Sequence, residues 1–214
     1  MLRGNHETDA MNQLYGFYEE CSQRYSNLLY YHFSECFKCL PLCALIGKRV
    51  LCMHGGLSPY LNSLDDIASI QRPCDVPDEG LVCDLLWADP KTGQDDLWCP
   101  NERGISYTFS EEVVKDFVEK FDLDLICRAH QVMDDGYEFF ADFHLLTLFS
   151  APNYGGELDN LGAILDIDSE MVCSLTVLKP NESSPKYLVG NRLIDDEYEE
   201  EEEEEETESD DIIY

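Results

Sequence analysis

The sequence predicts a mixed α/β layered fold followed by an acidic tail, and three observations carry that reading. Apolar residues at helical spacing crowd positions 11–40, strand-like apolar runs dominate from Tyr137 to Leu178, and residues 195–214 hold 14 acids and no bases. Apolar residues make up 44% of the 214 and aromatics 11%, more than a chain without a core carries. No apolar run approaches the ~18 residues needed to span a bilayer, and no basic segment followed by an apolar stretch opens the chain, so neither a membrane span nor a secretory signal is read.

From Met11 to Tyr31 the residues Leu14, Phe17, Tyr18 and Cys21 recur at three-to-four spacing with Glu, Gln and Arg between them, which predicts a helix. Phe33 to Leu40 continues the pattern until Pro41 breaks it. Leu42 to Met53 alternates around Gly47-Lys48, the signature of a hairpin whose second strand ends at His54-Gly55-Gly56. A helix over Glu111–Lys120 opens at Ser110 with two acids in its first turn, and Leu123 to Cys127 is a buried strand ending at Arg128-Ala129-His130. Leu145–Phe149, Ala163–Ile167 and Met171–Leu178 are strands, separated by turns at Asn153-Tyr154-Gly155-Gly156 and Asp168-Ser169. Asn181 to Pro185 is rich in turn residues. The tail from Asp195, with consecutive glutamates at 199–206, repels itself and is expected to be disordered.

The formal charge of −31 divides unevenly: outside the tail, 31 acids stand against 14 bases, a net −17. An acidic body argues against nucleic acid as a partner, because phosphate backbones need clustered Lys and Arg. Ten cysteines with no secretory signal are expected to stay reduced. Cys36, Cys39, Cys43, Cys52, Cys127 and Cys173 lie in apolar segments and read as core packing. Cys36-x-x-Cys39 has a zinc-like spacing, but no second Cys or His pair follows at knuckle distance.

Three strings place a metal-capable side chain at a strand end or in a loop: Gly4-Asn5-His6-Glu7, His54-Gly55-Gly56 and Arg128-Ala129-His130. Neutral imidazoles suit zinc, iron or manganese, an Asn carbonyl adds a donor without charge, and the glycines let a phosphate and its ion approach the backbone. Taken one at a time, each histidine is equally well a hydrogen-bonded core residue, Arg103 a surface charge and Tyr154 a loop-packing aromatic.

Four strings occur in order: Leu2-Arg3-Gly4-Asn5-His6-Glu7, His54-Gly55-Gly56-Leu57-Ser58-Pro59, Arg128-Ala129-His130-Gln131 and Ser150-Ala151-Pro152-Asn153-Tyr154. Together they resemble the phosphoprotein phosphatase family. Leu85-Leu86-Trp87-x-Asp89-Pro90, Asp122 to Cys127 and Asp135 to Phe140 resemble its type-one serine/threonine branch most. The resemblance implies a metallophosphoesterase-like β-sandwich flanked by helices. It also implies a C-terminal portion of the catalytic domain over 1–180, a linker over 181–194 and the tail over 195–214. By the same resemblance Asn5, His54 and His130 ligate the second of two divalent ions (manganese, or iron and zinc), and His6 is the catalytic proton donor. Arg103 grips the substrate phosphate, and Tyr154 lines the site. The family's remaining ligands, and the carboxylate that orients the proton donor, come from Gly-Asp-x-His-Gly and Gly-Asp-x-Val-Asp-Arg-Gly strings, neither of which occurs here. The expectation is an N-terminally truncated domain with second-metal ligands only and little turnover of its own.

The implied activity is hydrolysis of phosphoserine and phosphothreonine in protein substrates, in cytoplasm or nucleus. The implied partners, besides phosphoproteins, are regulatory subunits whose Arg-Val-x-Phe motifs occupy a groove of Val50, Leu125, Phe139, Met171, Cys173 and Leu175. Leu175 stands where the family usually has phenylalanine, and Gly155 where type-one enzymes have a cysteine. The alternative reading is a noncatalytic protein that binds phosphatase regulators through that groove.

Overall fold

The stretch read as one helix over Met11–Tyr31 folds as three. In the computed structural model, which describes residues 1–180, α1 spans Asp9–Leu14, α2 Phe17–Arg24 and α3 Asn27–Lys38. Gly16 breaks the first junction with φ +89°, a left-handed conformation that glycine adopts without a Cβ penalty. Ser26 opens α3 by accepting the Leu29 amide on its hydroxyl at 3.1 Å, a cap that satisfies one of the free first-turn donors. The predicted apolar stripe is only partly buried: Cys21 is inside, whereas Leu14 and Tyr18 face solvent. The predicted linker and tail, 181–194 and 195–214, lie outside the described residues.

Strand β1 (Cys43–Ile46) turns through Gly47 and Lys48, both at positive φ, into β2 (Val50–Met53), antiparallel with Ile46 opposite Val50. Next come α4 (Leu64–Ala68), opened by a capping box between Ser63 and Asp66, and α5 (Leu81–Trp87). A small three-stranded sheet follows, built from β3 (Asp89–Pro90), β4 (Trp98–Pro100) and β5 (Tyr107–Phe109) in the order β3-β5-β4. The chain continues with α6 (Glu111–Phe121), β6 (Leu125–Arg128), β7 (Tyr137–Phe140), β8 (Leu145–Leu148), a single 3₁₀ turn at Tyr154–Gly156, and the hairpin β9 (Gly162–Ile167) and β10 (Cys173–Leu178).

The main sheet has five strands in the order β1-β2-β6-β8-β7, and β2, β6 and β8 run parallel at its centre. Side chains alternate faces along a strand, and the two faces here both find cores. Leu51, Met53, Ile126 and Leu145 pack on one side with Leu85 and Leu86 of α5 and Val114 and Phe117 of α6. Val50, Leu125 and Leu146 pack on the other, with Cys52, Cys127, and Leu165, Ile167 and Leu175 of the β9–β10 hairpin. Two sheets thus face each other across the second core while helices cover the first, the arrangement expected of a helix-flanked sandwich.

All ten cysteines are free. The expectation that the six singled out are core residues fails at three of them, because Cys36 and Cys39 lie on the outward side of the end of α3, and Cys173, the first residue of β10, is exposed as well. Among the described residues no helix is long and apolar enough to cross a membrane.

The end of β2 packs tightly on α5: the Gly55 amide donates to Leu85 O at 2.8 Å, and a Cβ on Gly55 would stand 2.4 Å from both Leu86 C and Trp87 N. Gly55→Ala must push strand and helix apart and should destabilise the chain by about 1–3 kcal/mol. An unchanged urea midpoint for this variant would show that the strand end and α5 do not pack as described.

Candidate active site

Parallel neighbours deliver their C-terminal ends to the same edge of a sheet. His54 follows β2, His130 follows β6, and the Ala129 amide donates to His54 O at 3.1 Å, so the two strand ends are tied directly. His130 has φ +70°, a left-handed turn that takes the chain out of the strand direction.

Asn5 comes from the other direction, on a loop whose shape is set by Arg3 and Glu7. Arg3 is buried, its backbone amide donates to Pro41 O at 2.9 Å, and its side chain donates to Glu7 O at 3.0 Å and Cys74 O at 2.7 Å. The Gly4 amide donates to a Glu7 carboxylate oxygen at 2.7 Å, and Thr8 Oγ1 donates to Asn5 O at 2.8 Å. A Cβ at Gly4 would stand 2.7 Å from Glu7 Oε2 and 3.0 Å from His54 Nδ1, so any larger residue there must displace the carboxylate that the Gly4 amide holds.

The three side chains converge. His54 Nε2 lies 2.8 Å from Asn5 Oδ1 and 3.1 Å from His130 Nδ1. Two donors at right angles around an ion with bonds of about 2.1 Å stand about 3 Å apart, so this spacing fits a single coordination shell. Burial, reinforced by the positive charge of Arg128, lowers the pKa of His54 to about 4 and that of His130 to about 2, which keeps both rings neutral with lone pairs available. The His130 nitrogen turned to His54 is Nδ1, while its other nitrogen, Nε2, is buried without a hydrogen-bond partner among the described residues. The residues therefore fit one borderline ion. Among the described residues no cluster of three or more His, Cys, Asp or Glu side chains forms a metal site, so the donors at hand are two imidazoles and one amide oxygen.

All six residues singled out from the sequence line one cleft of about 710 Å³: Asn5, His6, His54, Arg103, His130 and Tyr154. His6 is exposed, its ring 5.0 Å from that of Tyr15, and among the described residues no carboxylate hydrogen-bonds to it. Tyr154 stands edge-on to Phe149 at 5.0 Å between ring centres, while its amide donates to Asn160 Oδ1 at 2.9 Å. Arg103 donates from Nε to Asp89 Oδ2 at 2.6 Å.

The residues that hold these groups in place were not singled out from the sequence. Arg128 has no solvent exposure and donates to Gly55 O at 2.6 Å, Gln131 Oε1 at 2.7 Å, Ala88 O at 3.1 Å and Asp89 Oδ1 at 2.9 Å. Burial pulls its pKa down to about 10 against the opposing pull of Asp89. Burial pushes the Asp89 carboxyl up, but the hydrogen bonds from Arg103 and Asn101 and the charge of Arg128 outweigh it and hold the pKa below the ordinary carboxylate value. Tyr15, in the break between α1 and α2, also lines the cleft. The signal for Arg128 was an arginine at the end of an apolar strand, which must find acceptors if it stays inside.

Of the six groove residues, Val50, Leu125, Met171 and Leu175 belong to the core between the main sheet and the hairpin. Phe139 is partly exposed on β7 against Tyr137 and Phe143, and Cys173 is exposed on β10.

Neutral folded-state histidines have a consequence for stability. Above pH 6.5 His54 and His130 are uncharged in both folded and unfolded chain, but below it the unfolded chain takes up their protons first. The metal-free chain should therefore lose about 1.4 kcal/mol per pH unit for each of these histidines as pH falls from about 6.5 toward 4. His130→Asn should flatten that slope in urea melts between about pH 7 and pH 5. A slope identical to that of the unsubstituted chain would contradict the burial assigned to this ring.

Comparison with known proteins supplies the family and bears on the fold. The calcineurin-like phosphoesterase family matches residues 1–134. A solved structure of a protein serine/threonine phosphatase from Saccharomyces cerevisiae with similarity to human phosphatase PP5 superposes with a TM-score of 0.78 at 32% identity. The match takes in 86% of this chain and 61% of that one, so the chain spans less than two thirds of its relative's length. With its family match over residues 1–134 and this structural likeness, the chain belongs to the calcineurin-like phosphoesterases, as a member of their phosphoprotein phosphatase family.

Proposed function

We propose that this chain carries the second-metal and phosphate-gripping half of a metal-dependent protein serine/threonine phosphatase. The observation that carries the reading is the convergence of Asn5, His54 and His130 within 2.8–3.1 Å, in the cleft that Arg103 also lines. A divalent ion bound there supplies Lewis-acid polarisation of a phosphoryl oxygen and acidifies water, which has a pKa of ~15.7 when free.

The chain's own side chains do the rest. The imidazoles of His54 and His130 and the Asn5 carbonyl hold the ion without adding negative charge, which preserves its pull on a phosphate dianion. Arg103, anchored through Nε, turns its guanidinium to the cleft and binds phosphate oxygens with charge-assisted hydrogen bonds. His6 moves a proton from its ring to the departing serine or threonine oxygen, help worth about 10²–10⁴ in rate when the ring is held in place. Tyr154 and Tyr15, which also line the cleft, offer exposed rings against which the rest of a phosphopeptide rests.

A specific observation supports the second reading, a noncatalytic protein that binds phosphatase regulators: His6 has no carboxylate to orient it among the described residues. In that reading the apolar surface beside Phe139 and Cys173 takes an Arg-Val-x-Phe peptide while the cleft turns nothing over.

Titration with Mn²⁺ and assay with p-nitrophenyl phosphate separate the two. The purified chain should bind about one ion, His54→Ala should weaken that binding at least tenfold (on the order of the loss seen when a ligand shell is disturbed), and turnover should be slight. Absence of metal binding would defeat the phosphatase reading. Metal binding with no turnover under any condition, together with capture of an Arg-Val-x-Phe peptide, would favour the noncatalytic one.

A further inference from the structure

Between the cleft and the core stands one carboxylate shared by two arginines. Asp89 follows α5 at the start of β3, and its two oxygens divide their partners: Oδ1 accepts from Arg128 Nη2 at 2.9 Å, and Oδ2 accepts from Arg103 Nε at 2.6 Å and Asn101 Nδ2 at 2.9 Å. Asn101 completes a closed circuit, because its own carbonyl oxygen accepts the Arg103 backbone amide at 3.0 Å. Arg128 is fully buried, Asp89 nearly so, and the Arg103 side chain is about one-third exposed at 36%.

The consequence lies in which nitrogen of Arg103 is engaged. A guanidinium can meet a carboxylate or phosphate through its Nε side or end-on through its two terminal nitrogens, and one group cannot use the same N–H for both. In Arg103 the Nε side is taken, and among the described residues neither terminal nitrogen has a partner. Two guanidinium charges against one carboxylate also leave a net positive charge at the cleft wall.

We propose that Asp89 is the positioning residue for phosphate recognition: by holding Arg103 through Nε it presents both terminal nitrogens end-on to two oxygens of a phosphomonoester. The inference rests on the phosphatase reading of the cleft and deepens it by one step. It makes phosphate affinity depend on Asp89 only through Arg103. Asn101 serves the same end, since it ties the Asp89 carboxylate to the backbone of Arg103.

A double-substitution cycle on the 214-residue chain tests this, with inorganic phosphate titrated calorimetrically in the presence of Mn²⁺. Arg103→Gln should weaken phosphate binding by about ten- to a hundredfold, the range for losing charge-assisted hydrogen bonds. Asp89→Asn should weaken it about five- to tenfold in the unsubstituted background and have no further effect in the Arg103→Gln background. A merely structural role for Asp89 would lower affinity equally in both backgrounds, and that result overturns the proposal. So does an Asp89→Asn chain with unaltered affinity, or an Arg103→Gln chain with unaltered affinity. Because Asp89→Asn also removes the buried partner of Arg128, Asn101→Ala provides a second route that leaves the Asp89–Arg128 pair intact. It should weaken phosphate binding a few-fold with Arg103 present, roughly the worth of one ordering hydrogen bond, and not at all in the Arg103→Gln background. Equal loss in both backgrounds overturns the proposal even where Asp89→Asn fails to fold. An unsubstituted chain that binds Mn²⁺ but no phosphate overturns both this inference and the phosphatase reading, whereas phosphate binding lost with Arg103→Gln and retained with Asp89→Asn overturns this inference alone.

Discussion

A guanidinium sealed from water is tolerated only where its donors find acceptors, and Arg128 finds four of them on three pieces of chain: the Gly55 carbonyl after β2, the consecutive Ala88 carbonyl and Asp89 carboxylate where α5 gives way to β3, and the Gln131 side chain beyond its own strand. Each of those pieces carries or adjoins a residue of the cleft. Gly55 follows His54, Gln131 follows His130, and Asp89 holds Arg103. Removing a partner from such a buried charge is worth about 3–5 kcal/mol, a large share of the stability of a small domain. The arginine thus couples the integrity of the fold to the spacing of the site. Its charge also adds to burial in keeping His54 and His130 deprotonated, so a residue that touches no substrate helps determine whether the imidazoles can serve as donors.

The sheet makes this coupling possible. Strands β2 and β6 run parallel with Val50 beside Leu125 and Cys52 beside Cys127, and both are buried on two faces. Such strands read as nearly unbroken apolar runs, and the chain becomes polar only where they stop. The change from Cys52-Met53 to His54-Gly55-Gly56, and from Ile126-Cys127 to Arg128-Ala129-His130, is the transition from core to site written along the chain. At the first of these transitions Gly55 is required by the close approach of α5, and Gly56 by the Phe109 ring of β5 and the Ala88 carbonyl.

This explains which features were legible in the sequence. The hairpin around Gly47-Lys48, the helix at Glu111 and the strands ending at His54 and His130 follow from local pattern, and the structure has them. The unbroken helix over Met11–Tyr31 does not survive, because a periodicity that continues through Gly16 and Ser26 says nothing of the left-handed φ at one or the cap at the other. Residues 89–109 offered no period to read: their strands are two or three residues long and owe their existence to pairing with one another. The Asp89–Arg103–Arg128 triangle is a tertiary fact in the same sense, since its members lie 14 and 39 positions from Asp89 and only folding tells which carboxylate meets which arginine. The exposed Cys36, Cys39 and Cys173 show the converse limit, where an apolar neighbourhood in sequence does not become an apolar neighbourhood in space.

The cleft is built from two kinds of material. One part of its lining, His54, Arg103 and His130, is backed by strand ends, a buried arginine and a doubly held carboxylate, all fastened by several hydrogen bonds. Another part is Tyr15 and Tyr154, 66% and 47% exposed, one between α1 and α2 and the other at the start of the 3₁₀ turn. Segments with few buried contacts open and adjust at far lower free energy than a sheet interior. Under the phosphatase reading proposed above, a phosphate entering the cleft meets a surface of set dimensions, while the peptide attached to it meets one that can yield. Recognition of the common group and tolerance of the variable one then fall to stiff and compliant parts of the same opening.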